Sequence, residues 1–232
     1  MDYIPPSTLP TEREGSSADI RTPLCHFSVV SKATGSVYIE SGNSKLICSV
    51  YGPHQSKSSE FHNKANLFLN IGYSDAAHPS LCDPSFSYTP KLRLARSAVL
   101  SSLNSSLSLH KYPKSAIDIA IYIIEDDGSI PSLCVLAASL ACKDAGIEAK
   151  HIVVSSTLAL STSPSDTSAI LDPWLGEEMT ADSLFVLSSV FGTEEIVSVD
   201  FIGKLELVDL KDLVNNLVSV NDSLSNKLID LL

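Results

Sequence analysis

Between positions 117 and 123 the apolar residues alternate, with Ile117, Ile119, Ile121 and Ile123 on one side of the chain. That period of two predicts a strand with one strongly apolar face. Pro113 bounds it upstream, because its ring fixes φ and removes a backbone donor. An acidic turn follows, Glu125-Asp126-Asp127-Gly128-Ser129, and then a helix predicted over residues 131–145. Gly146 closes that helix at the position where helices commonly turn left-handed. The helix is apolar on nearly every side, so burial on nearly every side is expected. This strand, turn and helix form the centre of the predicted domain.

The same reading places shorter elements around the centre. Strand-like runs cover residues 25–31, 35–40 and 45–51, separated by pieces with hairpin-turn composition. Gly52-Pro53 is expected to end the third run. A fourth, 63–73, alternates less cleanly and reads as an edge or crossing strand, so the group is an antiparallel meander. Residues 75–87 have loop composition. A helix then starts with Thr89 as N-cap and Pro90 at its first position, with Leu92, Val99, Leu103 and Leu107 on one face. After the centre, 150–160 reads as a buried strand, 161–168 as a polar loop, and 170–174 as an apolar line broken at Pro173. Residues 183–191 and 195–202 form a hairpin turning at Gly192-Thr193. The last 20 or so residues make an amphipathic helix, with Leu210, Leu213, Leu217, Val220, Leu224, Leu228 and Leu231 at threes and fours. Strands, helices, strands and a final helix give an α+β fold. Residues 1–12 are expected to be a mobile tail and 13–232 a single domain.

Composition narrows the function classes. The 232 residues are 44% hydrophobic and 19% charged, with a net charge of −11. A chain this long buries roughly 70–75% of its unfolded surface, enough for a large core. The negative balance disfavours unaided binding to nucleic acid or an anionic membrane, which needs a local surplus of Lys and Arg. The densest basic group is Lys91, Arg93 and Arg96 near the start of a predicted helix; it is either a solvated helix face or an RNA contact. The five cysteines form no CxxC pair and have no zinc spacing. With no apolar leader and no run of 18 apolar residues, the expectation is a soluble, reduced, intracellular protein with no membrane partner. Gly-x-Gly-x-x-Gly, P-loop, Gly-x-Ser-x-Gly and paired-histidine motifs are all missing.

Several runs, in order, do point to a family. Ala33-Thr34-Gly35-Ser36-Val37-Tyr38-Ile39-Glu40-Ser41-Gly42-Asn43-Ser44-Lys45, then Val50-Tyr51-Gly52-Pro53, then Tyr112-Pro113-Lys114-Ser115 with Ile117-Asp118-Ile119, then the acidic turn with Lys143-Asp144-Ala145-Gly146-Ile147, and finally Leu171-Asp172-Pro173 with Glu177-Glu178. Over about residues 13–230 this resembles the RNase PH-like family of phosphorolytic exoribonucleases and exosome ring subunits. The resemblance implies the RNase PH-like fold, of the ribosomal protein S5 domain 2-like type, with mixed sheets and packed helices.

It also implies where chemistry would sit. Active members place a Gly-Gly-Ser/Thr-Arg run at the central turn to hold phosphate, and two Asp separated by one residue, followed by an acidic pair, late in the chain. Here the turn reads Asp127, Gly128, Ser129 and Ile130; Ile130 cannot bind an anion, and Asp127 adds negative charge. The late motif keeps Asp172, Glu177 and Glu178 but has Trp174 where the second Asp would stand, and an indole cannot ligate a metal or accept a proton. The lead-in of the family is eroded to Arg13-Glu14-Gly15-Ser16. The degenerate positions are therefore Asp127, Ile130, Asp172, Trp174 and Glu178, with Asp172 and Glu177/Glu178 read as caps of a turn or helix. The resemblance then implies no catalytic set, no metal and no cofactor. It implies a structural subunit of a hexameric ring, paired with an RNase PH-like paralogue, contacted by S1/KH cap subunits, surrounding threaded RNA, and found in nucleus, nucleolus and cytoplasm. The alternative is an active phosphorolytic 3′–5′ exoribonuclease.

Overall fold

The computed structural model describes residues 20–55, 63–74, 88–163, 166–203 and 210–229. The central strand and helix lie where the pattern put them. Strand β5 (Ser115–Glu125) buries Ile117, Ile119, Ile121 and Ile123, and helix α2 (Ile130–Asp144) is buried at every position from Ile130 to Cys142. Pro131 sits in the first turn of α2, where its missing N–H has no intrahelical partner to lose. The other end closes as a Schellman turn: Ile147 N–H donates to the Cys142 carbonyl, Gly146 N–H donates to Lys143, and Gly146 takes φ +68°.

Two sheets enclose α2. The first has the order β1-β2-β3-β5-β4, formed by β1 (Leu24–Phe27), β2 (Gly35–Ser41), β3 (Ser44–Gln55), β5 and β4 (Asn66–Tyr73). The second has the order β7-β6-β8-β9, formed by β6 (Val153–Ser163), β7 (Asp166–Leu171), β8 (Ser183–Val190) and β9 (Ile196–Gly203). Helix α1 (Tyr88–Ser106) packs beside α2 and against β9, while α2 touches β2 and β3 on one side and β6 and β8 on the other. Helix α4 (Leu210–Leu228) covers β6 and β8 from outside, burying Leu213 and Leu217 against Leu158, Leu160, Phe185 and Leu187. A short helix α3 (Leu175–Thr180) follows β7. The layers are sheet, helix pair, sheet and outer helix, an α+β architecture.

Four expectations need correction. Gly52-Pro53 does not end β3; the strand runs on to Gln55, and the register shifts between Tyr51 and His54, so Pro53 sits in an irregularity where no ladder donor is required. The meander stops at β3: β5 inserts next to it, and β4 pairs parallel to β5 at the edge after crossing through α1. A strand as apolar as β5 is covered on both edges, which sequence order alone would not provide. The polar stretch is not a loop throughout: residues 161–163 end β6 and 166–168 begin β7, with Ser163 opposite Asp166. Helix α1 begins at Tyr88, one residue before the expected cap Thr89. The expected loop 75–87 and tail 1–12 lie outside the described residues.

The tightest contact between sheet and helix is at Gly35. A Cβ there would stand 2.2 Å from the backbone nitrogen of Ala145 and 2.7 Å from the carbonyl of Ala141. Both atoms are backbone, so neither can swing aside. Gly35→Ala is expected to force the end of α2 off β2 and lower stability by about 1–3 kcal/mol. Chemical denaturation of the purified variant measures this.

Candidate functional site

The acidic turn before α2 meets five other pieces of chain: the β2–β3 turn, the lead-in at Arg21, the end of β4 at Tyr73, the first turns of α1, and the segment from Asp172 into α3. Gly128 allows the meeting. It takes φ +95°, and a Cβ on it would lie 2.2 Å from the Pro173 carbonyl oxygen. Ser129 and Asp172 also take positive φ, 55° and 48°, in the left-handed region that side chains rarely adopt.

Three amides in this turn are each taken by a side chain of the protein. Asp127 N–H donates to Ser44 Oγ at 3.0 Å, Gly128 N–H to Asp126 Oδ1 at 3.0 Å, and Ser129 N–H to Glu178 Oε1 at 2.6 Å. The N-terminus of a helix is where backbone amides and the dipole attract an anion. Here the anion is the Glu178 carboxylate. Its other oxygen accepts from Lys91 Nζ at 2.6 Å, and Lys91 also reaches both oxygens of Asp126, at 2.9 and 3.0 Å. Tyr73 Oη donates to Asp126 as well. The Asp126 and Glu178 side chains are 2% and 4% exposed, so this is one cation between two buried carboxylates. Burial opposes the charge on Lys91, but Glu178 and Asp126 outweigh it and hold its pKa above the usual value. Burial, reinforced by the Asp126 charge, pushes the Glu178 carboxyl up despite Lys91.

A second ion pair stands beside the first. Arg21 Nε and Nη2 donate to the two oxygens of Asp172 at 2.9 and 2.8 Å, and Arg21 backbone N–H adds a third bond at 2.9 Å. The remaining Arg21 donors reach the carbonyls of Asp127 and Pro173. Burial works to raise the Asp172 carboxyl, but the Arg21 bonds and charge prevail and hold it below the usual carboxylate range. Asp127 accepts from Asn43 Nδ2 at 3.2 Å and lies 3.7 Å from Arg21 Nη1.

The residues singled out in the sequence thus meet in one place, but several have other partners than expected. Asp172 caps no helix; it binds Arg21. Glu178 sits on the amide of Ser129, across the site. Glu177 does act at a helix start, accepting from Trp174 N–H at 2.8 Å. The N-cap position of α2 is Ser129. Ile130 points into the main core, fully buried, and the Trp174 indole nitrogen is buried without a hydrogen-bond partner among the described residues. The basic trio is split: Lys91 turns inward to the carboxylates rather than lying on a solvated face, while Arg93 and Arg96 are exposed. Arg21, Asn43, Ser44, Tyr73 and Asp126 escaped the sequence reading as site residues. Among the described residues, no group of three His, Cys, Asp or Glu is arranged to hold a metal ion. Cys134 and Cys142 are core residues whose thiols burial pushes up to about 12. The family lead-in at residues 13–16 lies outside the described residues.

A fold of two sheets around a helix pair, with the helix terminus between them taken by a carboxylate of the chain itself, defines a class. The model for the 3′ exoribonuclease family, domain 1 (RNase PH), matches residues 19–148, and the chain belongs to this family. Its relatives include exosome complex component RRP41-like of Arabidopsis thaliana, 30% identical over 79% of this chain and 69% of that protein. Exosome complex component MTR3 of Homo sapiens is 28% identical over 72% of this chain and 65% of that protein. Among solved structures, rice Rrp46 covers 92% of this chain and 95% of its own, with TM-score 0.74 and 18% identity. An Archaeoglobus fulgidus exosome with RNA bound to the active site covers 92% and 90%, with TM-score 0.76 and 17% identity. The fold is RNase PH-like, as the order of motifs implied.

Proposed function

We propose that this chain is a non-catalytic structural subunit of an RNA exosome core ring, of the MTR3 type. One observation carries the reading. At the terminus of α2, where phosphorolysis requires inorganic phosphate, the Ser129 amide and the Lys91 ammonium are both engaged by Glu178, and Asp126 takes the neighbouring amide. Phosphate would have to displace a buried carboxylate and then sit beside Asp126 and Asp127. Ile130 offers no replacement cation. Asp172, the surviving acid of the late motif, is committed to Arg21, and Trp174 follows where a second carboxylate would be needed.

In this role the chain contributes wall and neighbour contacts. RNase PH-like subunits would flank it in a six-membered ring, S1/KH subunits would cap the ring, and RNA would pass through the channel on its way to 3′–5′ processing or degradation. Nuclear, nucleolar and cytoplasmic location would follow from that complex. Of the basic group on α1, Arg93 and Arg96 are exposed and would be the residues to meet RNA.

Incubation of the purified chain, alone and joined to its ring neighbour, with RNA, phosphate and magnesium tests this. The expected result is no nucleoside diphosphate above background. Phosphate-dependent release of nucleoside diphosphates, lost in Asp172→Ala, would establish the active-enzyme alternative instead.

A further inference from the structure

The first sheet lays one face on α2 and turns the other away from it. Ile117, Ile119 and Ile121 of β5 belong to the core face, so Asp118, Ala120 and Tyr122 stand on the outer one. Register partners share a face, which sets Tyr51, Asp118 and Phe68 side by side across β3, β5 and β4. The next row along β5 is small, with Ala120 beside Asn70, and the row after it carries Tyr122 opposite Gly72. Phe68, Tyr122 and Tyr51 are 55%, 50% and 38% exposed. Single exposed apolar side chains are ordinary on a protein surface. Three open rings on one face, two of them flanking a carboxylate, are a patch, and such patches mark binding surfaces.

The carboxylate decides the chemistry. The Asp118 side chain is 50% exposed, and its one ion contact among the described residues is the exposed His54, whose Nε2 stands 3.7 Å away. Lys45, further along the same face, is already paired with Glu125 at 2.8 Å. Asp118 therefore offers its charge to an incoming cation. A guanidinium fits best, because it donates two bonds to a carboxylate while its plane lies against rings. An ammonium is a hydrated point charge that gains less from them. Phosphate is disfavoured, since it would meet Asp118 on a chain of net charge −11. Tyr122 lies about 13 Å from Asp118 along β5, and between them Ala120 and Asn70 leave a low floor. A folded surface would rest on the rings. An extended segment reaches the floor, where the exposed Asn70 amide can bond its backbone.

We propose that this outer face docks an extended, arginine-bearing segment of a partner protein, with the guanidinium on Asp118 between Tyr51 and Phe68 and an apolar side chain against Tyr122. The inference uses no residue of the helix-terminus site and does not depend on the ring-subunit reading. A fluorescein-labelled peptide with Arg and Phe four positions apart in a Gly/Ala frame, titrated onto the full chain and followed by anisotropy, tests it. Binding is expected to saturate, and to weaken about tenfold in Asp118→Asn and in Tyr51→Ser combined with Phe68→Ser. Lys in place of the peptide's Arg should cost several-fold. Glu194→Gln removes one exposed charge elsewhere and should leave the affinity unchanged. Amide shifts on adding the peptide to the wild type should centre on 118–122 and 68–70, a readout that stands even where a variant fails to fold. No saturable binding, shifts centred elsewhere, or equal losses in Asp118→Asn and Glu194→Gln would overturn the site. Equal affinity for the Lys and Arg peptides would overturn the guanidinium assignment. Asp118-dependent self-association without peptide would give the face to a second copy and overturn the partner protein.

Discussion

Lys91→Met should be among the most damaging single changes in this protein. Among the described residues, Lys91 is the one cation placed between Asp126 and Glu178, both almost fully buried. Its removal leaves two facing carboxylates without compensation. Breaking a buried ion pair from one side costs about 3–5 kcal/mol. The pH dependence distinguishes this from simple loss of packing. Glu178 already has a raised folded-state pKa, so its protonated form favours the fold. That contribution is full below the unfolded carboxylate range and is lost as pH rises through the folded value. Without Lys91 the carboxyl rises further. The variant's deficit should therefore be largest near neutral pH and shrink on mild acidification. Adding Glu178→Gln should recover part of the loss at pH 7, read by denaturant titration of the four members of the double-mutant cycle. A deficit of equal size at pH 5 and pH 7 would count against a charge-based cause.

Arg21→Met should come next. The guanidinium gives Asp172 two side-chain bonds and ties the lead-in to the carbonyls of Asp127 and Pro173. The expected loss is again about 3–5 kcal/mol, since a carboxylate that is 12% exposed would lose its counterion. The sign of the pH effect runs opposite in the wild type. Asp172 has a depressed folded-state pKa, so its contribution is present above the unfolded carboxylate range and disappears as pH falls through the folded value. In Arg21→Met burial is opposed only by the backbone N–H of residue 21 and the Ser129 side chain, and mild acid should then stabilise the variant relative to pH 7. Arg21→Lys keeps the charge but not the two-pronged geometry and should recover only a fraction.

These two sites also show where sequence reading stops. The isoleucine alternation of β5 and the unbroken apolar run of α2 are local signals, and both elements formed where the pattern placed them. The β6–β7 hairpin carries no such signal, because Ser161, Thr162, Ser163, Thr167 and Ser168 read as loop although Thr is at home in an edge strand. At the site, Asp127, Ile130, Asp172, Trp174 and Glu178 could be selected by motif order, yet their partners could not. Arg21 and Asp172 lie 151 positions apart and Lys91 and Glu178 lie 87 apart. Neither pairing has a periodicity or spacing to reveal it. A lysine on an amphipathic helix reads as surface until the acids it meets are known.

The burial of α2 on both sides also bears on how this protein can be divided. The family model stops at residue 148, just after the helix, as though the chain could be cut there. The main core disregards that boundary: Val135, Leu136 and Leu140 share it with Val153, Val154 and Val186 from beyond. A fragment ending at 148 would carry its most hydrophobic helix with one flank open to water, and the remainder would lose the surface its second sheet packs on. The unit that recurs in sequence is thus half of a packing arrangement, and neither half is a piece that evolution or an experimenter could lift out intact.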